Sequence, residues 1–220
     1  MAYVQDSSLL HTYATPQSLK YYDDKNWAWV LTHWHVKISA YPKSGERINI
    51  YTWPVRYKGY FGERGFEVQS SGGDSLLVAN SNWILLERDT LSPIRANNEI
   101  ISQYGEMYPF LLERDFAMPI YDGMELIGSH EYTVSRRDID TNSHVNNVKY
   151  IEWIYDYLPG DLYSDFYATD LKVAYKKETL LGDKVKINLY RKGLDPEIFT
   201  TIEKDDQLAT EIYIRFSRFD

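Results

Sequence analysis

The chain has 220 residues, no cysteine and a formal charge of −8, which excludes disulfides, thiolate nucleophiles and zinc–thiolate sites and speaks against general nucleic-acid binding, which needs a basic stripe. Its apolar fraction of 44% is that of an ordinary globular protein, whereas an aromatic fraction of 15%, with 20 Tyr and 6 Trp, favours strands and apolar cavity walls. No run approaches the roughly 18 consecutive apolar residues that cross a bilayer, and no basic region followed by a long apolar stretch opens the chain, so neither membrane insertion nor a signal peptide is expected.

In chain order, a helix is predicted over Tyr3 to Tyr13. Four strands follow, over Trp27 to Ala40, Arg47 to Tyr57, Gly65 to Ser70 and Leu76 to Glu87. Turn signals such as Pro42-Lys43-Ser44-Gly45 and Ser71-Gly72-Gly73-Asp74 divide them. His33 and His35 flank Trp34 on one strand face, but no third ligand follows at a fixed spacing, so they are read as solvent-facing rather than metal-binding. Pro93, Pro109, Pro119 and weak periodicity mark the middle of the chain. Beyond it, a helix is predicted over Asn146 to Tyr157, stopping before Pro159-Gly160, and strands over Thr169 to Lys177, Lys184 to Lys192, Glu197 to Glu203 and Leu208 to Phe216.

The halves match each other. Val36 to Pro42 followed by Gly45-Glu46-Arg47-Ile48-Asn49-Ile50 parallels Val173 to Thr179 followed by Gly182-Asp183-Lys184-Val185-Lys186-Ile187, at one constant offset. We read a tandem duplication of a helix plus an antiparallel sheet, an α+β fold, with repeats at residues 1–95 and 129–220 and a linker region at 96–128.

The densest polar run is Arg137-Asp138-Ile139-Asp140-Thr141-Asn142-Ser143-His144-Val145-Asn146-Asn147. In an extended segment, Asp140, Asn142 and His144 at alternate positions would point to one side. A helix starting at about Val145 would set its unpaired N–H groups and positive dipole end beside His144, a place where a carbonyl oxygen is stabilised as it becomes an oxyanion. Thioester hydrolysis needs such a place and a group that activates water. Capping and turn formation is the other use of Asp, Asn and Ser ahead of a helix.

Asp140-Thr-Asn142-Ser-His144-Val145-Asn146-Asn147-Val-Lys-Tyr150-Ile-Glu-Trp153 resembles the active-site motif of acyl-acyl carrier protein (ACP) thioesterases, and Leu171-Lys-Val-Ala-Tyr175-Lys-Lys-Glu178 resembles their second motif. Trp29-Val30-Leu31-Thr32, Tyr41-Pro42, Thr52-Trp53 and Ser81-Asn82-Trp83 extend the resemblance, of bacterial type, over nearly the whole chain. It implies a tandem (double) hot-dog fold, each repeat a helix wrapped by an antiparallel sheet, and a fatty acyl-ACP hydrolase that ends chain elongation in the cytoplasm. The implied catalytic set is Asp140, Asn142, His144 and Glu178, with no cofactor and no metal. Glu178 or His144 would be the general base toward water, Asn142 would position water or substrate, and Asp140 would orient a neighbour; direct attack by Glu178 is the alternative to base-assisted attack by water.

Plant members carry Cys where Thr179 follows Glu178, so a Cys–His mechanism is excluded here. Relative to the family, the chain starts within the first helix, without the strand that precedes it. Glu178 aligns with Tyr41, so the first repeat is expected to be non-catalytic and to shape the acyl pocket, with Trp27, Trp29, Trp53 and Trp83 as candidate walls. The implied partner is ACP, an acidic protein, for which Lys172, Lys176, Lys177, Lys184, Lys186, Arg191 and Lys192 are the nearest docking candidates; solvated strand faces are their ordinary use. The oligomer is expected to be a monomer (pseudo-dimer) or a homodimer. Hydrolysis of acyl-coenzyme A, hydration–dehydration of hydroxyacyl thioesters, and acyl binding without catalysis are the competing functions.

Overall fold

The computed structural model describes residues 1–15 and 18–219, and the chain divides into two compact units, Met1–Asp115 and Phe116–Asp220. In the first unit, four runs of β-rich sequence become β1 (Trp27–Ile38), β2 (Ile48–Lys58), β3 (Phe61–Ser70) and β4 (Ser75–Glu87). They form an antiparallel sheet in the order β2-β3-β4-β1. The predicted first helix is α1 (Ala2–Ala14); α2 (Ser18–Lys25) and α3 (Asn98–Ser102) lie outside the elements expected from sequence. Both are short and weakly periodic, and their anchors are tertiary: Tyr22 of α2 and Ile100 of α3 share a buried cluster with Leu85 and Tyr104. Asn97 ends the approach to α3, its Oδ1 accepting from Ile100 N at 3.0 Å.

Side chains alternate across β3, so Glu63 and Gly65 share one face and Arg64 takes the other. The Glu63 face is covered by residues 108–114, part of the stretch expected to be linker. Trp53 Nε1 donates to Pro109 O at 3.1 Å, Asn80 Nδ2 to Leu112 O at 2.9 Å, and Arg114 pairs with Glu63 at 2.8 Å. Trp53 therefore lies beneath this segment, and its ring fills the space that a side chain at Gly65 would need.

The second unit begins its sheet with β5 (Glu125–Thr133), followed by a 3-10 turn (Arg136–Asp138), α4 (Asn147–Tyr155), α5 (Gly160–Asp165), β6 (Phe166–Tyr175), β7 (Lys184–Arg191), β8 (Glu197–Lys204) and β9 (Gln207–Arg218). The antiparallel order is β6-β9-β8-β7-β5. Sequence patterning misses β5 because it is an exposed edge, interrupted at Gly128 where the register shifts between Leu126 and Gly128. The sheet's core is aliphatic, with Ile187, Ile198, Ile202 and Ile212 fully buried. α4 buries Tyr150, Ile151, Trp153 and Ile154, one helical face, and sets Trp153 against Tyr132 of β5 with ring centroids 4.7 Å apart.

The duplication is visible in detail. Strand order β1-β4-β3-β2 recurs as β6-β9-β8-β7. The bulge between Leu31 and His33 in β1 recurs between Ala168 and Asp170 in β6, at the offset that relates Gly45 to Gly182. Both glycines are left-handed, with φ of +80° and +86°, which is why glycine stands there ahead of β2 and β7. Among the described residues, the first unit has no counterpart of β5. No helix among them is long and apolar enough to cross a membrane.

Candidate active site

The polar run before α4 is held by Asp138, which sequence reading passes over. Ser135 and Asp138 form a capping box around the 3-10 turn. The Asp138 carboxylate, 2% exposed, accepts from Ser135 N at 2.7 Å, Ser135 Oγ at 2.6 Å, Tyr132 OH at 2.7 Å and Trp153 Nε1 at 3.4 Å. Burial pulls its pKa upward, but the donors from Ser135, Tyr132 and Trp153 outweigh it and hold the carboxyl below the usual range. The signal was present in the Ser135-Arg-Arg-Asp138 spacing.

Residues 140–144 form a tight turn rather than the extended segment expected. Asp140 N donates to His144 O at 2.8 Å, and Ile139 and Val145 make an isolated antiparallel bridge. Asp140 Oδ1 accepts from the backbone N–H of Asn142 at 2.8 Å and of His144 at 3.3 Å. Ser143 adopts a φ of +67°, a conformation that favours glycine and that the Asp140 bonds on either side hold in place. Asn142 consequently sits exposed at the turn rather than alternating with Asp140 and His144 on one strand face.

The helix starts at Asn147, one residue after the predicted Asn146 and two after Val145. Asn146 is its N-cap, with Oδ1 accepting from Val148 N at 3.0 Å. The first helical N–H, that of Asn147, has no backbone acceptor among the described residues, so one donor at the positive end of the dipole stays available.

Glu178 reaches this turn from the far side of the sequence. β6 ends at Tyr175, where Lys176 N and Lys177 N both donate to Ala209 O. The chain then crosses the motif: Val145 N donates to Thr179 O at 3.0 Å, and His144 and Leu180 form an antiparallel bridge. Thr179 is fully buried and shares a 2.7 Å hydrogen bond with Tyr150 of α4. Tyr175 OH donates to Asn147 O at 2.7 Å. On the next turn, Leu180 N donates to Asp183 Oδ2 and Gly182 N to Val134 O.

His144 Nε2 therefore lies 3.3 Å from Glu178 Oε2, with side chains 43% and 51% exposed. A pair this exposed is worth only about 0–1 kcal/mol, too little to hold two segments together. The backbone bridges and the Thr179–Tyr150 bond do that work, which leaves imidazole and carboxylate free to serve chemistry. The arrangement pairs an imidazole with a carboxylate, open to solvent, just ahead of α4.

The structure thus brings His144 and Glu178 together, ties Asp140 to them through the His144 backbone, and leaves the Asn142 side chain on the exposed turn. Other expected features fall elsewhere. His35 is 4% exposed rather than solvent-facing; as a strand residue it is covered by the sheet's packing. Among the described residues, no group of three or more His, Asp or Glu is placed to hold a metal ion. The basic residues do not make one free patch. Lys172 is buried and donates to Ala117 O, Arg191 is buried against Asp161, and Lys176 pairs with Glu211. Trp29 Nε1 donates to Tyr22 OH at 3.3 Å, so it does border the buried cluster of the first unit.

A model of the acyl-ACP thioesterase N-terminal domain matches residues 1–104, and one of the C-terminal domain matches residues 123–218. The chain is 30% identical over 176 residues to a chloroplastic palmitoyl-acyl carrier protein thioesterase of Gossypium hirsutum, covering 75% of this chain and 40% of that protein. It spans less than half the length of the curated relatives it matches. Its structure resembles that of an acyl-ACP thioesterase from Bacteroides thetaiotaomicron, with a TM-score of 0.85 at 21% identity over 98% of this chain and 87% of that one. A 12:0-ACP thioesterase from Umbellularia californica gives a TM-score of 0.83 at 16% identity over 99% and 86%. The fold is accordingly α+β, a tandem hot-dog fold.

Proposed function

Because the chain belongs to the acyl-ACP thioesterase family, we propose that it hydrolyses fatty acyl-ACP thioesters in the cytoplasm, releasing free fatty acid and ending elongation. The observation that carries this reading is the 3.3 Å approach of His144 Nε2 to Glu178 Oε2 beside the start of α4.

In this reading, water between substrate and the pair gives a proton to Glu178 or His144 and attacks the thioester carbonyl carbon. The carbonyl oxygen becomes an oxyanion facing the Asn147 N–H and the helix dipole. Collapse breaks the C–S bond, and the carrier's thiolate takes up the proton. Asp140 sets the position of His144 through its backbone, a positioning role. Asn142, on the exposed turn, is placed to meet the carrier arm or the attacking water. The first repeat is non-catalytic, since Tyr41 stands where the second repeat has the Glu178 carboxylate, and serves the acyl chain. With Lys172 and Arg191 committed to internal partners, carrier docking falls to the remaining candidates, Lys176, Lys177, Lys184, Lys186 and Lys192, all exposed.

The test is release of fatty acid from a series of acyl-ACPs of graded chain length, with the same acyl groups on coenzyme A in parallel. Preferential cleavage of the carrier-protein series is expected. A strong coenzyme A preference, or conversion of a hydroxyacyl thioester to enoyl product without free thiol, would replace this reading.

A further inference from the structure

Arg64 of β3 is a buried cation. It is 8% exposed, and no carboxylate among the described residues pairs with it. Nη1 is engaged, bonding to His11 Nδ1 at 2.8 Å and donating to Thr52 Oγ1 at 3.1 Å, while Cζ lies 5.7 Å from the centre of the Tyr104 ring. These partners are neutral. His11 offers no negative charge, and burial and the adjacent guanidinium lower its pKa.

Among the described residues, Nε and Nη2 of Arg64 donate to no protein acceptor. These two nitrogens form the side of a guanidinium that grips a carboxylate. The same unit shows the completed form, where Arg114 donates to Glu63 Oε1 from Nε at 3.0 Å and Nη2 at 2.8 Å. A charge largely withdrawn from water gains from a carboxylate partner, and among the described residues no protein carboxylate supplies one to this fork. Around it stand Tyr22, Tyr57 and Tyr104, with the Tyr22 and Tyr104 hydroxyls 2.9 Å apart.

We propose that the first unit holds a carboxylate site, in which Nε and Nη2 of Arg64 receive the carboxylate of an aliphatic chain. The proposal rests on the reading of this unit as the acyl-binding half. Two sources share that chemistry: an acyl substrate whose far end is a carboxylate, and the free fatty acid released by the reaction.

The experiment is calorimetric titration of the 220-residue protein with decanoate and with decanol, its uncharged match. Decanoate is expected to bind at least about tenfold more tightly than decanol, the scale of a charge-assisted fork. Arg64→Met should bring the two within about twofold. Equal affinities in the unaltered protein, or a preference undiminished in Arg64→Met, overturn the site. Should Arg64→Met fail to fold by near-ultraviolet circular dichroism, Arg64→Lys keeps the charge without the fork and must lower the preference at least about threefold; an unchanged preference overturns it. Turnover of decanoyl-ACP on the same sample reports the proposed activity independently. Faster turnover of ω-carboxydecanoyl-ACP than of decanoyl-ACP assigns the carboxylate to the substrate, and inhibition by decanoate without that preference assigns it to the product; either supports the site.

Discussion

The Tyr150 hydroxyl on α4 lies 2.7 Å from the hydroxyl of the fully buried Thr179, one residue beyond Glu178. This bond ties α4 to the segment after β6 that carries Glu178. Tyr150→Phe and Thr179→Val are each expected to cost about 1–2 kcal/mol in urea unfolding, the effect of leaving one buried hydroxyl unpartnered. Each should lower kcat with little change in KM, and Thr179→Ser should restore turnover. The double variant should cost less than the sum of the singles. Full turnover in both single variants would mean that Glu178 is held by the backbone alone.

At the pair itself, His144→Ala and Glu178→Ala are each expected to reduce turnover by at least about a hundredfold, the usual effect of losing an acid–base group. Stability should change by less than about 1 kcal/mol, because the pair is exposed. Single-turnover release from acyl-ACP reads the first effect and thermal unfolding the second. Unimpaired hydrolysis in both variants would remove this site assignment.

Asp140 separates a positioning role from a chemical one. Its Oδ1 accepts the N–H groups of Asn142 and His144, and an asparagine carbonyl can accept the same bonds. Asp140→Asn should therefore keep turnover within about tenfold, while Asp140→Ala frees Ser143 from its strained conformation and should cost about a hundredfold. Equal loss in both would show that the negative charge itself is needed.

Asp138 gives the stability a sign with pH. Its carboxyl is held below the usual range in the folded state, so the unfolded chain takes up a proton before the folded one does. The contribution is complete above the ordinary carboxylate pKa of about 4 and is lost as pH falls through the folded value. Asp138→Asn should cost roughly 2–4 kcal/mol at pH 7, the range for disturbing a buried, charge-assisted network. The gap to the unaltered protein should narrow in urea unfolding below about pH 4. A gap independent of pH would assign the loss to geometry rather than charge.

Eight strands and two helices were legible from alternation, turn residues and capping, because those signals are local. α2, α3, α5 and β5 were not. Their stability comes from partners far along the chain, such as Leu85 for Tyr22 and β7 for β5. The turn at 140–144 was misread for a related reason: Asp-x-Asn-x-His fits a strand face by spacing, but Asp140 bonds two backbone N–H groups and closes the segment.

By itself the sequence determined the repeat, the antiparallel strands within each repeat, the position of α4 and the identity of the residues able to do acid–base chemistry. Each of these follows from short-range periodicity or from residue type. Only the tertiary structure decided that Glu178 meets His144 and that Arg64 is buried with no carboxylate partner among the described residues. Those relations join residues tens of positions apart, and sheet register together with the packing of α4 sets their distances, which no local pattern encodes.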